Sequence, residues 1–224
     1  MTGDLRHLVE GLLRVIAALL PIVNPFGGAP VFLAMTTDCT AALRATLAQK
    51  IAINAFILLL ASLFVGTYVL EFFGLSVPIV QVAGGIVVCA NAWELLRAGS
   101  VTPVMPTDAP VAAEIASRAF YPLTLPLTVG PGTISVAIAI GAHHPQSVRS
   151  LVVHGAADVI GAALIAATVF VCYRYADRML RVLGETGTSV LIRLSAFILL
   201  CIGVQIFWTG ATALLAGLPA AALR

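Results

Sequence analysis

Charged residues are scarce in this sequence. Only 10% of the 224 residues are Asp, Glu, Lys or Arg, whereas 60% are hydrophobic and the mean hydropathy is +1.06. A soluble domain carries about a quarter charged residues, so this chain has too little polar surface to cover a globule in water. Its net charge of +2 comes without a basic run, and we therefore expect no nucleic-acid partner.

The motifs of common catalytic and metal-binding sites are also missing. The sequence contains no HExxH, no GxSxG, no phosphate-binding loop and no GxGxxG segment, so we expect no enzyme activity and no cofactor. Its four cysteines are widely spaced and include no CxxC pair. We interpret them as small apolar packing residues, and we expect neither a disulfide nor a metal site.

Long charge-free stretches are what the sequence has instead. A helix needs about 20 apolar residues to cross the ~30 Å hydrocarbon layer of a membrane. By this measure the chain predicts an all-α polytopic membrane protein, with six transmembrane helices in a single integral domain over 1–224. The helices are predicted at residues 8–35, 49–70, 77–96, 117–141, 150–173 and 190–214.

Basic residues predict how these helices are oriented. The connections at 36–50, 97–118 and 174–193 hold seven or eight Lys and Arg, against three or four on the opposite side. Cytoplasmic loops of membrane proteins are enriched in Lys and Arg. We therefore expect the three basic connections in the cytoplasm and both termini in the periplasm.

Proline and glycine interrupt two of the predicted helices. Helix one contains NPFGGAP at 24–30, and helix four contains GPGT at 130–133. Irregular backbone at membrane depth is tolerated only where protein or a water-filled cavity surrounds it. Each break frees N–H groups at the start of the following half-helix, where partial positive charge collects, and carbonyl groups at the end of the preceding one. Two breaks meeting near the midplane would suit a zwitterion.

We therefore treat the two breaks as the candidate substrate-binding site. Its predicted residues are Asn24, Pro25, Phe26, Gly27, Gly28, Thr128, Gly130, Pro131, Gly132 and Thr133. The alternative is that each break is only a kink or a close helix crossing, because Pro and Gly are frequent in membrane helices.

The breaks occupy the same position in two groups of three helices. Because three spans is an odd number, the second group must be inverted relative to the first, a pattern typical of secondary transporters. We place repeat one at about residues 8–96, a cytoplasmic connection at about 97–116, and repeat two at about 117–214.

A few polar residues inside the spans are candidates for proton coupling. Asp158 is the only charged residue of its span, and His154 precedes it by one turn on the same face. An acid in lipid is costly and usually faces the bundle interior or water. Asn54 has a comparable place in helix two. The alternative is that Asp158 is a hydrogen-bonded acid near the outer surface with a structural role.

The pairs Glu94–Arg97 and Glu10–Arg14 are interpreted as compensating interfacial ions.

The segments NPFGGAPVFLAMT, GPGTISVAIA and GGIVVCANAWELL resemble the MarC family, also called the neutral amino acid transporter family. The resemblance extends over about residues 8–214. Asn24, Pro25, Gly27 and Pro30 match the first motif, and residues 130–133 match the second. One branch of this inner-membrane family is known for proton-driven transport of glycine, alanine and other small neutral amino acids.

The resemblance thus implies a proton-coupled secondary transporter in a bacterial inner membrane, whose partners are a small neutral amino acid and the lipid bilayer. Two other functions stay open at this point. One is a passive pore or exporter for another small solute, and the other is a membrane assembly protein that binds no small molecule. The sequence also leaves open whether copies associate into a homo-oligomer.

Overall fold

The computed structural model describes residues 2–37, 39–98, 118–143 and 148–217. Most of the predicted connection at 97–116 lies outside these ranges, as do residue 1 and residues 218–224. Within them the chain forms helices and turns and no strand. The helices are α1 (Thr2–Val23), α2 (Pro25–Ala34), α3 (Ala41–Phe64), α4 (Gly66–Phe72), α5 (Val77–Ala98), α6 (Pro131–Ala142), α7 (Val148–Arg174) and α8 (Ala176–Ala216).

Five helical stretches of the described chain are long and apolar enough to cross a membrane. They are Leu5–Ala34, which contains α1 and α2, and then Ala41–Phe64, Val77–Arg97, Leu151–Arg174 and Ala176–Ala216. The predicted fourth span at 117–141 is not confirmed as a sixth membrane-spanning helix, because its long helical part is α6, which has 12 residues. A helix of that length rises only about 18 Å.

The first half of that predicted span forms turns at residues 121–128. Pro122 and Pro126 have no N–H and cannot continue a helical ladder. Several N–H groups here bond to the carbonyl five residues back instead of four, as in the 2.8 Å bond from Leu125 N to Phe120 O. We call residues 121–129 the turn segment.

The first predicted span is broken where the NPFGGAP motif begins. Asn24 separates α1 from α2 and has left-handed backbone angles, φ 46° and ψ 56°. Asn is one of the few residues with a side chain that tolerates this region. Its Oδ1 accepts a hydrogen bond from Gly27 N at 3.2 Å, and Pro25 supplies the fixed φ that suits a first helical position.

Two parts of the chain share one order of elements. Val65 separates α3 from α4, and Tyr175 separates α7 from α8. Gly74 and Gly184 follow these residues at equal intervals and both have positive φ, 67° and 68°. That region is strained for residues with a Cβ. After α3 come the short helix α4, the bend at Gly74 and the long helix α5. After α7, the bend at Gly184 lies within α8 and divides it into a short first part and a long second part, so the order of elements is the same.

The buried core lies where α1, α2, α3, α6 and α7 meet. Each of these helices contributes a side chain that is wholly out of contact with solvent, namely Leu19, Phe32, Leu59, Ala137 and Val169. The long helices α5 and α8 pack closely against each other. Gly203 permits this approach, because a Cβ there would lie 2.9 Å from the backbone N of Cys89.

Candidate functional site

A cavity of about 470 Å³ lies between the two breaks. Its volume falls in the range of about 300–1,000 Å³ that is usual for small-molecule sites. Seven of the ten predicted substrate residues line it: Asn24, Gly27, Gly28, Thr128, Gly130, Gly132 and Thr133. The other three do not line the cavity. Of these, Pro25 is buried and Phe26 and Pro131 are exposed.

The cavity lining extends along two helices toward the same end of the bundle. Along α2 its lining runs from Asn24 to Met35, and along α5 from Val88 to Leu95. These are the ends at which the two helices enter the connections predicted to be cytoplasmic. On the far side of the breaks Leu19, with no exposed surface, is part of the packed core. The cavity lining therefore extends from the breaks toward this end of the bundle, and it includes no residue of α1 before Ile22 and none of α6 after Thr133.

The first break satisfies most of its own N–H groups. Gly27 N donates to Asn24 Oδ1, and Gly28 N donates to Asn24 O at 2.9 Å. The Asn24 side chain and backbone therefore cap two of the N–H groups that were expected to be free at the start of α2. Gly27 must be small, since a Cβ there would lie 2.7 Å from Cβ of Ser195 in α8.

The second break leaves donors open. Gly130 precedes α6 without a side-chain cap. Within the described part of the chain, Gly132 N and Thr133 N have no hydrogen-bond acceptor, whereas Ile134 N donates to Gly130 O at 3.1 Å. Gly132 and Thr133 line the cavity. The start of α6 therefore presents two N–H groups and the positive end of a helix dipole at this cavity.

Hydroxyl groups hold the turn segment in place. Thr124 and Thr128 each donate to the carbonyl five residues earlier, at 2.6 and 2.8 Å. A threonine hydroxyl has one hydrogen, so toward other groups both act as acceptors. Asn54 Nδ2 of α3 donates to Thr124 Oγ1 at 3.5 Å, and the Tyr173 hydroxyl of α7 lies 3.0 Å from Thr128 Oγ1.

The proton-coupling candidates lie elsewhere. Asp158 is 3% exposed and precedes Tyr173 on α7 by about 22 Å of helix. His154 lies near α1, with its Cδ2 4.0 Å from the position of a Cβ on Gly11. Neither residue lines the cavity. Asn54 does not line it either, but reaches the turn segment through Thr124.

Asn54 and Asp158 lie at different distances from the residues that end α3 and α7. Asn54 precedes Val65, at the end of α3, by about three helical turns, whereas Asp158 precedes Tyr175, at the end of α7, by almost five. The pattern of polar residues does not reveal this difference, because backbone geometry determines where α3 and α7 end.

Sequence reasoning missed Asn91 and Glu94, which line the cavity from α5. No ion pair joins Glu94 to Arg97, two residues whose side chains the structure describes, so their interpretation as a compensating pair is wrong. The i,i+3 spacing of Asn91 and Glu94, which places them on one face of the helix, was a usable signal. Glu10 pairs with Arg6 at 2.8 Å, not with Arg14.

Comparison with known proteins identifies a family. Residues 9–215 match the model of the MarC family integral membrane proteins. UPF0056 membrane protein YvbG of Bacillus subtilis is 32% identical over 201 residues, which cover 89% of this chain and 93% of the relative. UPF0056 inner membrane protein MarC of Salmonella typhimurium is 28% identical, with 87% and 91% covered. UPF0056 membrane protein YhcE of Escherichia coli is 32% identical, with 89% and 91% covered. No solved structure matches significantly.

Proposed function

The chain belongs to the MarC family of integral membrane proteins, and from this membership and the geometry of the cavity we propose that it is a secondary active transporter of small neutral amino acids. One observation carries the proposal: the two helix breaks meet at a single cavity whose lining extends from the breaks toward one end of the bundle. Alternating access requires a central site that is reached from one side at a time.

The polar groups of the cavity complement a zwitterion. Gly132 N and Thr133 N are placed to donate to a carboxylate. Val88 of α5 lies against Gly132, and Asn91 follows Val88 by about 4.5 Å along the helix. The Asn91 amide oxygen is thus at a suitable depth to accept from the ammonium group of a solute whose carboxylate is at α6.

Glu94 supplies the negative charge of the cavity lining. It lies about 9 Å along α5 from Val88, which is too far for one small amino acid to contact both Glu94 and the start of α6. We propose that Glu94 attracts the ammonium group of an entering solute and repels anions. The apolar lining, which includes Val31, Leu127 and Leu199, suits a neutral side chain.

The repeated order of elements supports two inverted repeats of three crossings each. Pro25 and Pro131 both begin the half-helix that follows a break. The short helices and glycine bends after α3 and α7 add a second correspondence. In this proposal the turn segment and α6 together make the fourth crossing, which irregular backbone can do where it lines a cavity.

We further propose an inner-membrane location with both termini in the periplasm and coupling to protons. A relative from Salmonella is named an inner membrane protein, and the basic connections predict the orientation. Asp158 remains the candidate coupling residue. Its burial near the contact of α1 with α7 would make its ionisation sensitive to movement of the broken first span.

Counterflow in proteoliposomes tests the proposal. Vesicles containing the purified protein are loaded with unlabelled alanine, diluted, and supplied with a trace of labelled alanine outside. A carrier accumulates the label transiently inside, because exchange is faster than net loss. A passive pore equilibrates the label without accumulation, and an assembly protein gives the flux of protein-free vesicles. Either of these two results, repeated across the neutral amino acids, would overturn the proposal.

A further inference from the structure

Tyr173 contacts both helix breaks from a third helix. Its side chain is 1% exposed, and its ring stacks on Phe32 of α2 with centroids 4.7 Å apart and planes inclined by 10°. Its hydroxyl lies 3.0 Å from Thr128 Oγ1 in the turn segment. The same hydroxyl lies over Gly28, where an added Cβ would be 2.6 Å from it.

The direction of the Tyr173–Thr128 hydrogen bond follows from proton accounting. The single hydroxyl hydrogen of Thr128 is donated to Leu123 O at 2.8 Å. Thr128 Oγ1 can therefore only accept, and the Tyr173 hydroxyl is the donor. The stacked ring holds that hydroxyl in place, so the bond fixes the turn segment relative to α2.

This bond lies close to the open donors of the cavity. Thr128 precedes Gly130, the residue before α6, by two positions, and it lines the same cavity as Gly132 and Thr133. A shift of Thr128 would therefore carry the start of α6 with it. The Tyr173 side chain lies against Gly28 of α2, so its size sets the distance between α2 and the turn segment.

We propose that Tyr173 is a positioning residue that sets the width of the cavity and, through Thr128, the placement of the α6 donors. The inference rests on the proposed transport function where it concerns the solute. In that setting Tyr173 determines how strictly the site prefers glycine and alanine over larger neutral amino acids.

Tyr173→Phe is the direct test, because it keeps the stacked ring and removes only the hydroxyl. Loss of one buried hydrogen bond corresponds to up to about a tenfold change in affinity. We expect KM for alanine to rise by about that factor, KM for leucine to change little, and kcat to stay within about twofold. Thr128→Val should raise KM for alanine to the same extent, and Thr128→Ser should keep the ratio of the alanine and leucine KM values found in the parent. Combining Tyr173→Phe with Thr128→Val should raise KM for alanine no further than either change alone. Tyr175→Phe is the matched control, since Tyr175 is 52% exposed.

A second measurement does not depend on the solute. Leu127→Cys, in a chain whose four native cysteines are replaced by alanine, places one thiol on the cavity wall. We expect the Tyr173→Phe background to raise the rate at which a water-soluble maleimide labels this thiol, and the Tyr175→Phe background to leave that rate unchanged.

Faster labelling in a protein without counterflow would support the positioning role and refute transport. Unchanged labelling, or an unchanged ratio of KM values in a protein that transports, would overturn the positioning role.

Discussion

Single residues limit what the cavity can hold. Gly132 is the second residue of α6, and a Cβ at this position would collide with Val88 of α5 and lie 3.2 Å from Gly84 O. Both obstacles lie on a helix that is itself tightly packed against α8. Neither can retreat far, so the space beside the α6 donors depends on this residue having no side chain.

Gly132→Ala should therefore abolish solute binding while the protein still inserts. Overpacking of this kind costs about 1–3 kcal/mol, which displaces the start of α6 from the geometry that receives a carboxylate. The measurement is the rise in melting temperature of the purified protein on adding alanine, which reports binding to the folded state.

Two further variants control this result. Val88→Ala combined with Gly132→Ala removes the collision and should recover part of the ligand-induced shift. Gly155→Ala should behave like the parent, because a Cβ there meets only Phe64, at 3.6 Å. A full ligand response from Gly132→Ala alone would show that the solute does not bind at α6.

Asp158→Asn is expected to separate exchange from accumulation. The amide keeps the size of the side chain but cannot release a proton. Vesicles with this variant should show counterflow of alanine, yet fail to concentrate alanine under an imposed pH gradient. Glu94→Gln is the informative comparison: it should raise KM for alanine and leave accumulation intact. If the Asp158 variant still concentrates alanine with the pH dependence of the parent, Asp158 has a structural role.

At the scale of helices, uninterrupted apolar runs were predictable and proline-rich ones were not. The predicted helices 77–96 and 150–173 differ from α5 and α7 by at most two residues at each end, since nothing in those segments competes with the helical ladder. The fourth predicted helix is only partly regular, because around Pro122 and Pro126 several N–H groups bond to the carbonyl five residues back. The sequence shows both prolines, but the threonine hydroxyls that stabilise the alternative become visible only in three dimensions.

The candidate site was predictable to a similar degree. The two motifs revealed the backbone breaks, because Pro and Gly act locally on the chain. Asn91, Glu94 and Tyr173 were missed, since each reaches the breaks from another helix. Glu94 was assigned to Arg97 by its i,i+3 spacing, yet the side chain lies at the cavity. Such long-range neighbours follow from packing, which periodicity alone does not specify.

The break between α1 and α2 leads to a prediction of its own. Asn24→Ala removes the acceptor of Gly27 N. It also places alanine, which has a Cβ but no polar side chain, in the left-handed region of backbone angles. The loss of the cap costs about 1 kcal/mol and the backbone strain about as much again. We expect the free energy of unfolding in detergent to fall by about 2 kcal/mol. Asn24→Gly relieves the strain and should recover about half of that loss.

For the whole molecule, orientation decides which side the cavity faces. The ends of α2 and α5 that border the cavity lead into the connections rich in Lys and Arg. In the proposed orientation those connections are cytoplasmic, and the cavity would then face the cytoplasm. The apolar outer faces of the long helices, including Phe197 and Val204 of α8, are then the surface that meets lipid.

Reporter fusions test this orientation. A reporter that is active only in the periplasm should give signal when fused after Arg224, and one that is active only in the cytoplasm should not. Fusion of the same pair after Arg97, in the predicted cytoplasmic connection, should give the opposite result and serves as the internal control. Cytoplasmic signal at both sites would mean that the number of crossings between them is even.

Tyr173 precedes Tyr175 by two residues, and Leu63 precedes Val65 by two residues. In the proposed repeat, Tyr173 of the second half therefore corresponds to Leu63 of the first. In an inverted repeat of identical halves, the inward-facing and outward-facing forms would be related by a two-fold rotation and would have equal free energies and equal populations. In the proposed repeat, a donor hydroxyl at one position and an aliphatic side chain at the other would lift that degeneracy. Since each 1.4 kcal/mol is a tenfold change in an equilibrium constant, one unmatched hydrogen bond is enough to give the protein a preferred resting face.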